Sequence, residues 1–343
     1  MRKLGIAVDH LAWSTKFAEY AGKAGLDYTM IEMERSDWME HVKPCSVVLW
    51  RPNLDAPFCE EGKEKVFFLE SLLGKRVVPN WATFWHYDNK RAQAYFCKAA
   101  GIPIPRTWIS FSRTEAAELI RDVSFPVVSK TAGGAASAHV RLLRTARDAM
   151  REIREVFNVG IIAKVSSRLG GDLRLSSRTR NRYVLWQEYV PGNSRDLRVT
   201  VIGRRHVFAF WRNNRPGDFR ASGSGSIDYA VENVERECLY CAQVCRRYGF
   251  DSMAFDIVYK NGAFVVLEMS YAFNDRAIYD APAHYVVSED GVLTRENGHV
   301  WPQELTIAYV QSLLDDGGRS GDVGSYSVRV ATDDDEMGSF HTH

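Results

Sequence analysis

The chain has 343 residues, of which 45% are hydrophobic and 25% charged, a composition typical of a soluble enzyme with two or three domains. The 44 lysines and arginines nearly balance the 43 aspartates and glutamates, so the net charge of +1 excludes a global attraction for nucleic acid or for an anionic membrane. No 18 apolar residues run together, and the first apolar run, LGIAV, is too short for a signal peptide. We therefore expect a cytoplasmic protein that neither inserts into a membrane nor binds nucleic acid.

The first part of the chain predicts a parallel α/β domain over residues 1–102. Short apolar runs (KLGIAV, DYTMIEM and CSVVLW) alternate with stretches of helical spacing, which is the pattern of β-α-β units. A helix is then expected over DNKRAQAYFCKAAG, with Asp88 as its N-cap and Gly101 at its C-terminal stop. The two prolines of IPIPRTWI favour extended chain after this helix, which sets the domain boundary.

The remaining sequence predicts two further units and a tail. Residues 103–185 alternate short helices and strands, whereas 186–316 are rich in strands and close with a helix at WPQELTIAYVQSLL. The arginine-rich stretch 166–182 is expected to be a solvated loop or a lid over an anionic ligand. Residues 317–343 are polar and lack apolar periodicity, so we expect a disordered tail.

Three cysteines, Cys238, Cys241 and Cys245, lie in a predicted helix. A zinc site would require a second pair of ligands, which the surrounding sequence lacks. Their spacing places the thiols on one helix face, which favours small core residues.

Two acidic residues interrupt apolar strands. Asp256 lies in AFDIVY and Glu268 in VVLEMS, and Asn261-Gly262 between these strands predicts a hairpin. Carboxylates in such strands are costly unless a cation offsets them. A buried structural ion pair would do so, as would Mg²⁺, which proteins hold with one or two carboxylates while water and phosphate oxygens fill the remaining positions.

An ordered set of motifs resembles the ATP-grasp superfamily. It comprises Lys90 in YDNKRAQ, Lys130 at the end of FPVVSK, and then QEYV, DLR and GDFR before the two acids. The QEYV, DLR and GDFR strings are most similar to ligases that add glutamate to a ribosomal protein. The resemblance spans roughly residues 85–270. It implies an α/β (α+β) protein with an ATP-grasp fold: the N-terminal parallel α/β unit would be a pre-ATP-grasp domain, 103–185 the small lid subdomain and 186–316 the subdomain with the metal site.

The resemblance also implies ATP as cofactor and assigns nine residues to it. These are Lys90 and Lys130 for the phosphates, Glu188, Tyr189 and Val190 for the adenine, Asp196 for the ribose, and Gly133, Gly134 and Ser137 in a small-residue loop over the phosphates. Backbone N–H groups of such a loop can approach phosphate closely because the side chains are small. The family's loop usually has three spaced glycines, but here His139 stands where one would be expected.

The sequence departs from the family's usual pattern a second time, at the predicted metal site. The resemblance implies that Asp256 and Glu268 hold Mg²⁺, or Mn²⁺ in its place, and the family usually has an asparagine two residues after the second acid. This chain has Ser270 instead, so Ser270, Asn274 or a water would complete the site. The following EMSYAFNDRAIYDAPAHYVV is also similar to ATP-grasp ligases among polysaccharide-modifying enzymes, which tend to have a serine there.

The stretch WRNNRPGDFRASGSGS, residues 211–226, supplies the predicted catalytic residues. The resemblance implies that Arg212 and Arg220 lie beside the triphosphate and the acyl-phosphate. Arginine suits this role because its planar fork holds two phosphate or carboxylate oxygens and stays charged.

The function implied is an ATP-dependent carboxylate–amine ligase that forms an amide through an acyl-phosphate. A sugar uronate, an amino acid or a peptide would supply the carboxylate, and a separate amine would accept it. A phosphotransferase acting on a hydroxyl and a nucleotide-binding regulatory protein with weak catalysis are the alternatives. The sequence leaves open both the substrates and the oligomeric state, including a homodimer.

Overall fold

Three β-sheets organise the protein. The computed structural model describes residues 3–52, 58–131, 140–157, 182–218 and 225–316. Within these ranges, one sheet is parallel and two are antiparallel.

The first sheet is parallel and has the strand order β2-β1-β3-β4. Its strands are β1 (Lys3–Ala7), β2 (Tyr28–Ile31), β3 (Cys45–Leu49) and β4 (Arg76–Val78). The helices between and after them are α1 (Trp13–Lys23), α2 (Trp38–Val42), α3 (Phe58–Ser71) and α4 (Trp81–Phe84). The predicted parallel α/β arrangement of this region is confirmed.

The next helix, α5 (Lys90–Ala99), begins one residue later than predicted. Its N-cap is Asn89, whose side-chain oxygen accepts the Ala92 N–H at 3.1 Å, so the assignment of Asp88 was wrong. Asp88 has φ of 51° and belongs to the preceding turn. Gly101 adopts φ of 67° at the C-terminal end, as expected of a residue that stops a helix.

The second sheet is antiparallel with the order β5-β8-β6-β7. Its strands are β5 (Thr107–Ser110), β6 (Val127–Ser129), β7 (Arg141–Leu143) and β8 (Val184–Glu188). The helices α6 (Arg113–Leu119) and α7 (Ala146–Phe157) share an apolar core with this sheet, centred on the fully buried Trp186.

The third sheet has seven strands, with the order β13-β12-β9-β10-β14-β15 and β11 paired with β10. The strands are β9 (Arg195–Ile202), β10 (His206–Asn213), β11 (Ile227–Asp228), β12 (Ser252–Lys260), β13 (Ala263–Ser270), β14 (Ala283–Val287) and β15 (Leu293–Asn297). Its helices are α8 (Glu235–Tyr248), α9 (Asp275–Tyr279) and α10 (Pro302–Asp315). The predicted hairpin is confirmed, since Asn261 and Gly262 join β12 to β13 with φ of 53° and 80°.

Helix α8 covers one face of the third sheet. Its three cysteines are buried against residues such as Val199 and Phe255, which confirms that they are core residues. Burial raises the pKa of each of these thiols, so they stay protonated. Because side chains alternate along a strand, the neighbours of Val199 and Phe255, Arg198 and Asp256, face the opposite side.

The last helix, α10, packs on the first sheet as well as on the third, where its Leu305 shares a core with Ile202 and Phe208. Ile307, Val310 and Leu314 share a core with Phe17 of α1 and Val47 of β3. None of the helices in the described ranges has both the length and the apolar character needed to cross a lipid bilayer.

A buried carboxylate strengthens this connection. Asp251, which is fully buried, accepts hydrogen bonds from Arg76 of β4 at 2.6 Å and from the Tyr309 hydroxyl of α10 at 2.6 Å. It also accepts the backbone N–H of Asn80 at 2.8 Å. The first sheet and the last helix are therefore both tied to the residue that precedes β12.

Candidate active site

Two lysines from different elements line one cleft with Glu268. Lys90, the first residue of α5, places its Nζ 3.4 Å from Oε1 of Glu268. Lys130 directly follows β6 and donates to Oε1 of Gln187 at 2.6 Å. All four side chains line one cleft between the second and third sheets, together with apolar residues such as Leu185 and Val266. The structure thus brings together both lysines predicted to bind phosphate and one predicted metal ligand.

The environment of Lys130 is unfavourable for a cation. Burial lowers the pKa of this lysine to about 8, and repulsion from Lys90 adds to the effect, while attraction to Glu268 and Asp256 opposes it. A half-buried ammonium that is only partly compensated would gain from a nearby anionic ligand.

A β-bulge places the two predicted metal ligands on one face. The two-residue turn pairs Lys260 with Ala263 and Ile257 with Val266, and continuing this register would set Asp256 opposite Leu267. The register shifts between Asp256 and Ile257, and Asp256 lies opposite Glu268 instead. Directly opposed residues project to the same side of a sheet, so both carboxylates lie on the sheet face that carries Glu268 into the cleft.

Arginines bind the oxygens of Asp256. Nε of Arg198 lies 2.5 Å from Oδ1, and Nη2 of Arg212 lies 2.8 Å from Oδ2. Arg212 also holds both oxygens of Asp196, each at 2.7 Å. Burial acts to raise the pKa of Asp256, but the two arginines hold it below its usual value. Asp256 therefore stays ionised in a charged, largely buried network.

Two residues of this network were predicted site residues, and a third was not. Arg212 lies beside Asp256, and Asp196 is held by Arg212, so a ribose contact for Asp196 stays a prediction. Sequence reasoning missed Arg198, although it belongs to the quoted DLR string. The available signal was its position two residues after Asp196, which places both side chains on one face of a strand.

The residues predicted to meet adenine lie at the end of β8. Glu188 follows Gln187 of the lysine cleft, and its carboxylate pairs with Lys260 at 2.7 Å. Its backbone N–H donates to the Arg106 carbonyl at 2.8 Å. Tyr189 and Val190 come next and are partly buried. Their adenine contacts stay predictions.

The two weaker metal candidates have local partners. The Ser270 hydroxyl donates to the Ala272 carbonyl at 2.8 Å, and the side-chain oxygen of Asn274 accepts the Ala277 N–H at 3.1 Å as the N-cap of α9. Within the described ranges, no group of three or more His, Cys, Asp and Glu side chains has a metal-binding arrangement. The facing pair Asp256 and Glu268 nevertheless fits Mg²⁺, which needs only one or two carboxylates when phosphate and water supply the other oxygens.

Several predicted features lie outside the described residues. These are Arg220, Gly133, Gly134, Ser137 and His139, the stretch 166–181 and the tail 317–343.

Comparisons with known proteins come from both sequence and structure. A family model described as "RimK-like ATP-grasp domain" matches residues 88–274. The chain is 25% identical over 206 residues to a probable alpha-L-glutamate ligase of Mannheimia succiniciproducens, covering 59% of this chain and 62% of that protein. It is 26% identical over 147 residues to the alpha-aminoadipate–LysW ligase LysX of Saccharolobus solfataricus, covering 43% and 47%. The chain thus spans about half to three fifths of the length of these curated relatives.

Solved structures share the fold. The RimK domain protein ATP-grasp from Sphaerobacter thermophilus aligns with a TM-score of 0.57 and 16% identity, over 90% of this chain and 99% of that one. The ATP-grasp ligase PsnB complexed with minimal precursor, Mg and ADP aligns with a TM-score of 0.53 and 16% identity, over 81% and 92%. At this identity, the similarity is evidence for the fold.

Proposed function

Because this chain belongs to the RimK-like ATP-grasp family, we propose that it is an ATP-dependent carboxylate–amine ligase that forms an amide through an acyl-phosphate. Its parallel sheet and two antiparallel sheets form the ATP-grasp fold, so the predicted α/β (α+β) class is confirmed. The substrate carboxylate would come from an amino acid, a peptide or a sugar uronate.

One observation carries the proposal. Lys90 and Lys130 reach the same cleft from two separate elements. Lys90 pairs there with Glu268, which lies opposite Asp256 in the hairpin. Two ammonium groups beside two carboxylates can receive a triphosphate together with a divalent cation, because the phosphates pair with the lysines and the cation pairs with the acids. Bound Mg²⁺ would neutralise phosphate charge and polarise the phosphoryl oxygens.

The chemistry needs no protein nucleophile. A carboxylate oxygen of the substrate attacks the γ-phosphorus, the bond to the β-phosphate oxygen breaks, and ADP leaves with that electron pair. The amine nitrogen then attacks the acyl carbon, phosphate leaves, and the nitrogen loses a proton as the amide forms. The protein contributes positioning and charge stabilisation in both steps. All six cysteines are buried, which agrees with a reaction that uses no thiolate.

The arginine network has a defined part in this scheme. Arg198 and Arg212 fix both oxygens of Asp256, so this carboxylate is held in one orientation before any ligand arrives. Such pre-organisation reduces the reorganisation that the protein must undergo during reaction. Arg212 would also contribute positive charge beside the phosphates.

Trapping with hydroxylamine tests the proposal. Wild-type protein is incubated with ATP, Mg²⁺ and a panel of amino acids, peptides and uronates, with and without hydroxylamine as a surrogate amine. A ligase converts the matching acid to a hydroxamate and releases one ADP for each. Release of ADP with transfer of phosphate to a hydroxyl would indicate a phosphotransferase. Binding of ATP without turnover for any acid would favour a regulatory protein.

The site is tested by a matched pair of variants. Lys130→Ala should abolish hydroxamate formation, whereas Lys98→Ala, which changes an exposed lysine of α5, should leave it unchanged. Equal activity in the two variants would remove Lys130 from the proposed site.

A further inference from the structure

A second cavity lies at one edge of the first sheet, outside the lysine cleft, and has a volume of about 280 Å³. Its walls include Val8 after β1, Met33 after β2 and Trp50 after β3. The carboxyl ends of parallel strands meet at one edge, so these three segments converge there. The chain runs from β1 to β2 on one side and then to β3 on the other, which makes this edge the topological switch point where open α/β sheets bind ligands.

Most charged groups around the cavity already have protein partners. Nζ of Lys65 lies 2.5 Å from the Met33 carbonyl oxygen and 2.5 Å from Oε1 of Glu61. His10 and Glu34 lie 3.4 Å apart. Lys65 and Glu61 therefore compensate each other, and Glu34 has His10 as its partner at an exposed position.

Asp9, the acid nearest the end of β1, is also committed to the protein. Its carboxylate accepts the backbone N–H groups of Leu11 at 2.7 Å and Ser14 at 2.6 Å. It therefore holds the start of α1 in place and has little capacity left for a ligand.

Arg51 is the exception. Its guanidinium carbon lies 4.8 Å from the centre of the Trp13 ring, within cation–π distance. Among the described residues, no carboxylate lies within ion-pair distance and no acceptor within hydrogen-bonding distance of it. The cavity thus presents a half-buried fork of N–H donors that a carboxylate would match.

Size and lining limit the ligand further. The volume lies just below the 300–1,000 Å³ of sites that hold drug-sized molecules, so the cavity suits a metabolite of amino-acid size. Apolar walls from Val8, Met33 and Trp50 would contact a short hydrocarbon body. These features favour a compact organic acid over a polyphosphate.

The cavity adjoins the strand that carries Glu268. The residue after β13, Tyr271, donates its hydroxyl to the Pro52 carbonyl at 3.3 Å, and Pro52 lines the cavity. The Tyr271 ring packs 4.6 Å from that of Tyr87. Burial raises the pKa of Tyr87, and the charges of both Arg51 and Glu268 act on its hydroxyl, which places that hydroxyl within electrostatic range of the two sites.

We propose that this cavity binds a small carboxylic acid of amino-acid size, with the carboxylate on the Arg51 guanidinium. As a substrate site, it rests on the proposed ligase function, because the acid would be one of the two molecules joined there. Two sources share this chemistry: the acid that ATP activates, and an amino acid that supplies the amine and is held by its own carboxylate.

Calorimetric titration of the full chain tests the binding. The probes are L-glutamate and L-2-aminoadipate, titrated without nucleotide into wild type, Arg51→Gln and Arg51→Lys. Arg113→Gln, at an exposed position on α6, is the matched control. We expect Arg51→Gln to weaken binding of the acids at least about tenfold, and the affinity of Arg51→Lys to lie between those of wild type and Arg51→Gln. The affinity of the control should stay within twofold of wild type. Wild-type protein that binds neither acid, or Arg51→Gln that binds them equally well, would overturn the inference.

Nucleotide measurements separate this inference from the ligase proposal. Arg51→Gln should bind a non-hydrolysable ATP analogue within twofold of wild type, and a parallel loss of nucleotide affinity would count against a separate acid site. Arg51-dependent acid binding without ATP turnover would refute the ligase proposal and leave the site intact. Trapping of the probe acid as a hydroxamate identifies it as the activated acid, whereas its recovery as the amine half of an amide identifies the other source.

Discussion

Replacing Lys130 by methionine should stabilise the fold while weakening nucleotide binding. Burial lowers the pKa of Lys130 from 10.5 to about 8, a difference that corresponds to ~3 kcal/mol. Because the folded-state pKa lies below the unfolded one, this cost is fully present below pH 8 and fades as the pH rises towards 10.5. Methionine removes this cost but leaves the Gln187 oxygen without its hydrogen-bond donor. The lost hydrogen bond reduces the gain in stability by about 1 kcal/mol. We expect Lys130→Met to raise the free energy of unfolding by ~2 kcal/mol at pH 7.

The same substitution removes an ammonium from the proposed phosphate site. A hydrogen bond to a charged group contributes about 1.5–3 kcal/mol, so affinity for an ATP analogue should fall roughly 10- to 100-fold. In the wild type, this affinity should also fall as Lys130 deprotonates above pH 8. Urea unfolding and calorimetric titration between pH 7 and pH 9.5 measure both effects, with Lys98→Met as the exposed control. A variant that is less stable than wild type, or one that binds nucleotide equally well, would refute this reasoning.

Three further predictions concern other buried groups. Asp256→Asn should abolish Mg²⁺-dependent ATP turnover and also lower the melting temperature, because Arg198 and Arg212, which are largely buried, lose their charged partner. Glu268→Gln should abolish turnover alone. Wild-type turnover in both variants would refute the metal assignment. Burial raises the pKa of Glu70 to about 7, so the free energy of unfolding should fall as the pH rises from about 4.5 to 7, and urea titrations of Glu70→Gln should lack that slope. All six cysteines are buried, so a thiol reagent should label none of them in the native protein and all six after unfolding; rapid native labelling would contradict the described core.

The acids of the hairpin could be predicted from sequence because their signal is local. A carboxylate in an apolar strand is costly wherever that strand lies, and Asn261-Gly262 fixes the turn between the two strands. Which residues face each other was less predictable. Turn geometry alone would have placed Glu268 on the opposite face from Asp256, and only the bulge brings them together.

The partners of these acids depend on contacts that sequence patterns do not encode. Arg198 meets Asp256 because β9 and β12, about 50 residues apart in the chain, are neighbours in the sheet. Arg51 stands out only once the structure reveals a cavity beside it and, among the residues that the structure describes, no acid within ion-pair distance. The error at Asp88 has another cause: Asn89 is an equally good capping residue, and propensity does not decide between adjacent candidates.

The packing of α10 on the first sheet has a consequence for biosynthesis. The face of β1 and β3 that this helix covers leaves the ribosome early, but the helix follows about 250 residues later. At a synthesis rate of 5–20 residues per second, the apolar surface around Phe17 and Val47 stays exposed for roughly 12–50 s before α10 is made. During that interval the nascent chain exposes an unfinished core, which is the kind of surface that chaperones bind. A truncated product that lacks α10 would keep this surface permanently, so we expect it to aggregate rather than accumulate as a folded fragment.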